Sequence, residues 1–400
     1  MNNIKEELKE YLKAHPIINT HSHHLIDSCF EGYTLDKLLK STYVNWSGVT
    51  FDSSYESRVA YLEKVRYKSY FVWLHKSLQK LYGFEMPLTG ENWDEISKII
   101  ENAHREDSHH LKILKQNCGY QKIVLDTHWE PGSNNGHPDL FTPTFRIDPF
   151  MYGYENGVKD HDSNDPWSLY GDVPDNLTDY ISWIKNIVEQ KKNNGCVAIK
   201  CATAYDRGID FKMVTKERAE RGFLRKNKDK SPEDIKAFQD YLFWQICEIA
   251  AEFDLVLQCH TGMGQLKNAN AMVMKDAIEG NPNTKFVLFH CSYPWLGDVT
   301  ALMHLYPNVY PDLCWMPILS PSAAKRVLHE LIEVGTSDKI CWGCDTWTSE
   351  ESHGALLALK YVLVDVLEKK INDNYLSLSD AKQIIDNLLL QNAINLYQLN

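Results

Sequence analysis

The segment Ile17-Ile18-Asn19-Thr20-His21-Ser22-His23-His24 is a short apolar run that stops on three histidines. Alternate residues of a strand face the same side, so His21 and His23 can grip one divalent ion with neutral imidazole nitrogens. A single H-x-H among 16 histidines is weak evidence. Repetition strengthens it, because four later apolar runs end on a residue able to bind metal: Val197 to Lys200, Leu255 to His260, Phe286 to His290 and Ile340 to Asp345. Each has an ordinary reading too. A terminal histidine can be a hydrogen-bonded core residue, Asp345 can cap a loop, and Lys200 can be the buried partner of a carboxylate.

Apolar strands that alternate with helices supply such positions. Strands are expected to start near residues 17, 123, 145, 197, 255, 286, 309 and 340. Helices are expected over Asn2 to His15, Pro232 to Phe253, Ala269 to Glu279, Gly297 to Leu305, up to Val334 with Ser320 as N-cap and Pro321 first, and from Ser352 onward. Unbroken apolar strands imply a parallel sheet buried on both faces, and eight strand–helix units imply a closed (β/α)8 TIM barrel. Residues 1–400 are read as one domain with a helical insertion after the first strand, at about 35–118, and a helical C-terminal extension. Within the insertion, Tyr55 to Leu81 reads as one long aromatic helix and Asn92 to Gln116 as two shorter ones. The stretch between Asp148 and Asn176, rich in Gly, Asp, Asn and Pro, reads as a long functional loop. In such a barrel all strand C-termini meet at one mouth, where active sites of this fold lie.

The formal charge of -12 argues against a nucleic-acid partner, which needs a basic face. The basic stretch Arg225-Lys226-Asn227-Lys228 is short and reads as solvated loop. No apolar run approaches the roughly 18 residues that span a bilayer. The start, Met1 to Lys13, lacks an apolar signal core, so a cytoplasmic protein with no membrane partner is expected. The ten cysteines are dispersed through a large chain and read as reduced, buried small hydrophobes. Cys341-x-x-Cys344 belongs to a strand rather than the start of a helix, and reads as two packed thiols rather than a redox pair.

With these residues assembled, the sequence resembles the amidohydrolase superfamily of metal-dependent barrels, in its amidohydrolase-related group of hydrolases and decarboxylases. The motifs carrying the resemblance are Asn19-Thr20-His21-Ser22-His23, Ala198-Ile199-Lys200, Gln258-Cys259-His260-Thr261-Gly262, Leu288 to Pro294, Asn308 to Leu313 and Trp342-Gly343-Cys344-Asp345. The resemblance implies that His21, His23 and Asp345 hold one divalent ion. In two-metal relatives a carbamylated lysine, here Lys200, bridges to a second ion held by His260 and His290. Zinc is the first choice of metal, ahead of manganese and iron. The family usually has aspartate where this chain has Asn19, which puts the tuning of the site in question rather than ligation. Metal-bound water ionises near pH 7, and Asp345, His290 and Lys200 are the candidate catalytic residues. Candidates for substrate contact are His128, Trp129, Arg146, Tyr205, Arg207, Tyr293, Trp295, Trp315 and Trp347; arginine beside metal and aromatics suits a small, anionic, carboxylate-bearing substrate. The first reading is a hydrolase of an amide, ester or lactone-like bond. The alternatives are a non-oxidative decarboxylase, a uronate-type sugar-acid isomerase and a barrel that only binds a ligand. Oligomeric state is left open, a homo-oligomer included.

Overall fold

The computed structural model describes residues 4–224 and 229–399. The basic stretch 225–228 lies outside them. Seven strands pair in parallel in chain order: β1 (Ile17–Ser22), β2 (Tyr120–Asp126), β3 (Phe141–Arg146), β4 (Ala198–Cys201), β5 (Val256–His260), β6 (Lys285–Phe289) and β7 (Val309–Asp312). The two-residue period of a strand divides each between two cores. Ile18, Val124, Ala198, Val256 and Val287 pack together inside the curl, where Leu396 and Tyr397 of the last helix join them. Ile17, Ile123, Leu125, Ile199, Leu257 and Leu288 pack outward in the large core. Register then aligns the strand ends, with Arg146 opposite Lys200, His260 opposite Phe289 and Phe289 opposite Asp312.

The expected eighth strand is not one. Between Ile340 and Asp345 the chain makes a single parallel bridge, Asp312 to Cys341. It still closes the ring. Cys341 N donates to Pro311 O at 3.0 Å on the β7 side, while Asp345 N donates to His21 O at 2.9 Å and Thr20 N to Trp342 O at 3.2 Å on the β1 side. Regular pairing stops after Cys341, and at Asp345 the chain takes a positive φ of 59°, outside the extended region. The fold is an α/β barrel whose eighth member is irregular.

Between β1 and β2 the chain forms helices Leu35–Lys40, Tyr55–Val65, Ser69–Tyr82 and Trp93–Ala103, which share an apolar cluster around Tyr61, Phe71 and Trp93, and the short helix His109–Lys112, whose Leu111 packs in the large core. The expected single helix over Tyr55 to Leu81 is therefore two, because Lys68 adopts an extended conformation (ψ 136°) and starts the second. Elsewhere the capping chemistry holds: Ser320 accepts from Ala323 N ahead of Pro321, and Ser231 with Asp234 forms a capping box on the helix Pro232–Glu252. Cys341 and Cys344 are buried free thiols. Among the described residues no helix is long and apolar enough to cross a membrane.

Candidate functional site

At the strand C-termini lies a cavity of about 250 Å³. His23, His128, Arg146, Lys200, Tyr205, His260, Asp345 and Trp347 line it, so eight of the residues singled out from the sequence meet there. His21 and His290 stand just behind, each fully buried. Positive φ values at His290, Trp315 and Asp345 turn the chain sharply at this mouth. Such conformations cost about 1–3 kcal/mol each and cluster at functional sites.

Backbone carbonyls settle the state of three of the imidazoles. A carbonyl oxygen only accepts, so a ring nitrogen beside it must carry a proton, and in a neutral ring the other nitrogen keeps its lone pair. His23 Nδ1 donates to Asp126 O (2.8 Å), His290 Nδ1 to Cys314 O (3.0 Å) and His260 Nε2 to Met263 O (2.6 Å). The bare nitrogens face one another. His290 Nε2 lies 3.0 Å from His260 Nδ1, and His23 Nε2 lies 3.2 Å from Asp345 Oδ1. His21 Nε2 approaches the same carboxylate oxygen at 3.2 Å, and neither of its buried ring nitrogens has an aligned hydrogen-bond partner. Protonation does not relieve the facing lone pairs of His260 and His290 at neutral pH. Burial, assisted by His290, holds His260 well below its usual range, and burial lowers His290 to about 4 and His21 to about 3. Facing imidazole lone pairs beside a carboxylate fit a divalent cation, for which His21, His23 and Asp126, or His290, Cys314 and Asp345, offer ligand atoms within 4.8 Å of one another.

Lys200 is 2% exposed, and among the described residues no carboxylate lies within ion-pair distance of it. Its Nζ instead sits 4.0 Å above the Phe289 ring. Burial lowers its pKa, which favours the neutral amine. On the other side of Asp345, the Tyr43 hydroxyl donates to Oδ2 at 2.9 Å. Tyr43 is itself held by Glu351, whose Oε1 accepts from Tyr43 N at 2.6 Å. Asn19 turns out to join β1 to the closing segment: its Oδ1 accepts from Cys344 N (2.9 Å) and His21 N (3.2 Å), while Nδ2 donates to Cys344 Sγ (2.8 Å). An aspartate there would lack that donor.

The opposite wall is ionic and already paired. Arg146 Nε donates to Asp126 Oδ2 at 3.0 Å, and Nη1 contacts both Asp162 and His161 Nε2. Burial is the largest single influence on the Asp126 carboxylate and acts against it, but Arg146, His23, His21 and Lys200 together outweigh it and hold Asp126 below its usual range. Arg207, expected to contact substrate, does not reach the cavity. Its Nη2 pairs with Asp240 at 2.7 Å and its guanidinium stacks 4.8 Å from the Phe211 ring centroid. Trp129 and Trp295 project to solvent, and Tyr293 is absent from the lining. Trp315 packs behind His290, 5.3 Å from it.

Sequence reasoning missed Tyr43, Trp46, His161 and Asp162, which all line the cavity, and Asp126, which holds Arg146. Asp126 ends β2 as His260 ends β5, so the strand-end rule was available for it. Tyr43 comes from the insertion and carries no local signal. His161 and Asp162 lie in the irregular stretch after β3, whose length was their clue.

Residues 212–399 match the family model described as Amidohydrolase. Over this stretch, a little under half of the chain, the protein is similar to the amidohydrolase family. Among solved structures, this barrel superposes on the uronate isomerase of Thermotoga maritima with a TM-score of 0.77 at 16% identity, covering 99% of this chain and 98% of that one. The glucuronate isomerase of Caulobacter crescentus gives a TM-score of 0.77 at 17% identity, covering 99% and 94%. At such identities the likeness is one of fold. The protein fluG of Emericella nidulans is 32% identical over 156 residues, which take in 36% of this chain and only 17% of that relative.

Proposed function

We propose that this protein is a metal-dependent hydrolase that cleaves an amide, ester or lactone-like bond in a small carboxylated molecule. One observation carries the reading: His23, His260 and His290 are each held by a backbone carbonyl so that bare nitrogens converge beside Asp345. In this reading His21, His23 and Asp345 hold one ion, and His260, His290 and a carbamate on Lys200 hold a second. A divalent ion, zinc by preference, supplies Lewis-acid polarisation and acidifies water there. The chain's own residues do the rest. Asp345, with Oδ2 engaged by Tyr43, offers Oδ1 as the base that takes a proton from water and returns it to the leaving group. Tyr205 and Trp347 flank the cavity and exclude bulk solvent, and Arg146 faces the substrate carboxylate. Residues 1–400 act as one domain, with the insertion supplying Tyr43 and Trp46 and with no nucleic-acid or membrane partner.

A second reading, sugar-acid isomerisation, draws on the end-to-end fold likeness to uronate isomerases. Elemental analysis of the purified protein, followed by a screen of lactones, N-acyl compounds, aromatic acids and uronates, separates the two. Hydrolysis is expected, with one or two divalent ions per chain, and Lys200→Ala is expected to lose one ion and nearly all turnover. Interconversion of a uronate without hydrolysis would favour the second reading, and full activity in metal-free protein would overturn both.

A further inference from the structure

A buried guanidinium is neutralised by one carboxylate, and Arg146, 6% exposed, has two. Asp126 is fully buried at the end of β2 and holds the Nε edge. Asp162 comes from the stretch after β3 and takes Nη1 from the side of the cavity that it lines. The same carboxylate lies 3.4 Å from His161 Nε2 and 4.0 Å from His128 Nε2. One side chain of an irregular loop thus sits among three basic groups that all line the cavity. Two of these groups are held from elsewhere as well. Asp206 Oδ2 holds His161 Nδ1 at 2.9 Å from the other side, and Asp126 holds Arg146. The loop that carries Asp162 is folded on itself, with Asp160 Oδ1 accepting from Asp162 N (3.0 Å) and Asn164 N (2.8 Å) and Ser163 N donating to Asp160 O (2.9 Å).

We infer that Asp162 is an internal ligand of an anion subsite, occupying the place that the carboxylate of the substrate takes between Arg146, His161 and His128. Substrate entry exchanges one carboxylate for another, so the charge around the buried guanidinium is unchanged while Asp162 turns toward solvent. The inference deepens the proposed function, naming the end of the substrate that this wall recognises, and rests on reading the cavity as the substrate site. A tethered ligand competes at an effective concentration in the millimolar range, so it sets a threshold that only a well-matched free carboxylate exceeds.

The test is calorimetric titration of the metal-loaded protein, Asp162→Asn and Asp162→Ala with succinate, and with uncharged succinamide as control. Both variants are expected to bind succinate about tenfold or more tightly than the parent, with the gain shrinking at high salt and succinamide unaffected. Succinate binding no tighter than in the parent would overturn the inference. So would loss of folding in both variants, since Asp162 would then be a structural partner of Arg146. Because binding is read without turnover, failure of the hydrolase reading in the substrate screen leaves this result separate.

Discussion

The two walls of the cavity solve opposite electrostatic problems. On the side of β1, β5, β6 and the closing segment, the lone pairs of His260 and His290 face each other at 3.0 Å, and two more imidazoles crowd one carboxylate oxygen at 3.2 Å. On the side of β2, β3 and the loop that follows, the charges at Arg146 and His161 are paired: Arg146 by Asp126 and Asp162, and His161 by Asp206. The first wall lacks positive charge and calls for a cation, whereas the guanidinium of the second is already neutralised and can trade one partner for another. Buried polar groups are normally satisfied, so the wall left unsatisfied is the one built around something else. The same contrast recurs within one helix turn. Glu350 accepts from His104 Nε2 (2.6 Å), Tyr82 (2.7 Å) and Ser349 (2.9 Å), and these donors bring it down to about 2 despite burial. Its neighbour Glu351 has a buried Oε2 without a partner, and burial raises it to about 8.

The largest effect expected is on the unsatisfied wall. Asp345→Asn preserves shape and one ligand oxygen but removes the base, so turnover should fall by about 10²- to 10⁴-fold while metal content stays largely the same. Steady-state kinetics with metal analysis checks this; a variant that keeps its metal and turns over at the parental rate would move the proton-transfer role to His290 or His128.

A smaller effect distinguishes the paired wall from the rest of the barrel. Arg146→Lys removes a planar fork from the cavity and should raise KM by roughly 10- to 100-fold, the value of a charge-assisted hydrogen bond or two. Arg207→Lys should leave KM unchanged, because Arg207 faces Asp240 and Phe211 rather than the cavity. Equal KM changes in the two variants would erase the distinction.

The smallest effect concerns Glu351. Burial pushes its pKa up to about 8 from the ordinary 4.5, so the folded state prefers the protonated form. The stability this gives is fully present below about pH 4.5 and is lost as pH rises through 8. Glu351→Gln mimics the protonated side chain and should abolish that loss, giving a variant stabilised on the order of 1–3 kcal/mol at pH 8 and matching the parent near pH 4. Thermal unfolding across this range reads the difference; a constant offset at all pH values would mean that Glu351 is ionised in the fold.

Much of this was legible without a structure because strand formation is a local matter. Apolar runs of four to eight residues interrupted by helical periodicity specify a parallel sheet, and a polar residue at the end of a buried run has nowhere to go but the mouth. That is why His23, Lys200, His260 and Asp345 could be named from their place in the chain and are found lining one cavity. The expectation for Arg207 failed for the converse reason: it follows β4 closely, but its direction depends on Asp240, on a helix that begins 25 residues later. The irregular closing segment escaped for the same cause, since its apolar composition suits a strand while its regular pairing stops after Cys341.

What the amino-acid sequence determined alone was which residue types end which strands, and hence that imidazoles, an amine and a carboxylate would share one mouth. Tertiary structure decided their states. The proton on His23 is placed by Asp126 O, 103 positions away, and the carboxylate of Asp345 meets a tyrosine 302 positions before it. Proton positions, ion pairing and lone-pair direction depend on which atoms lie within about 3 Å, and such neighbours are chosen by the closure of the barrel rather than by distance along the chain.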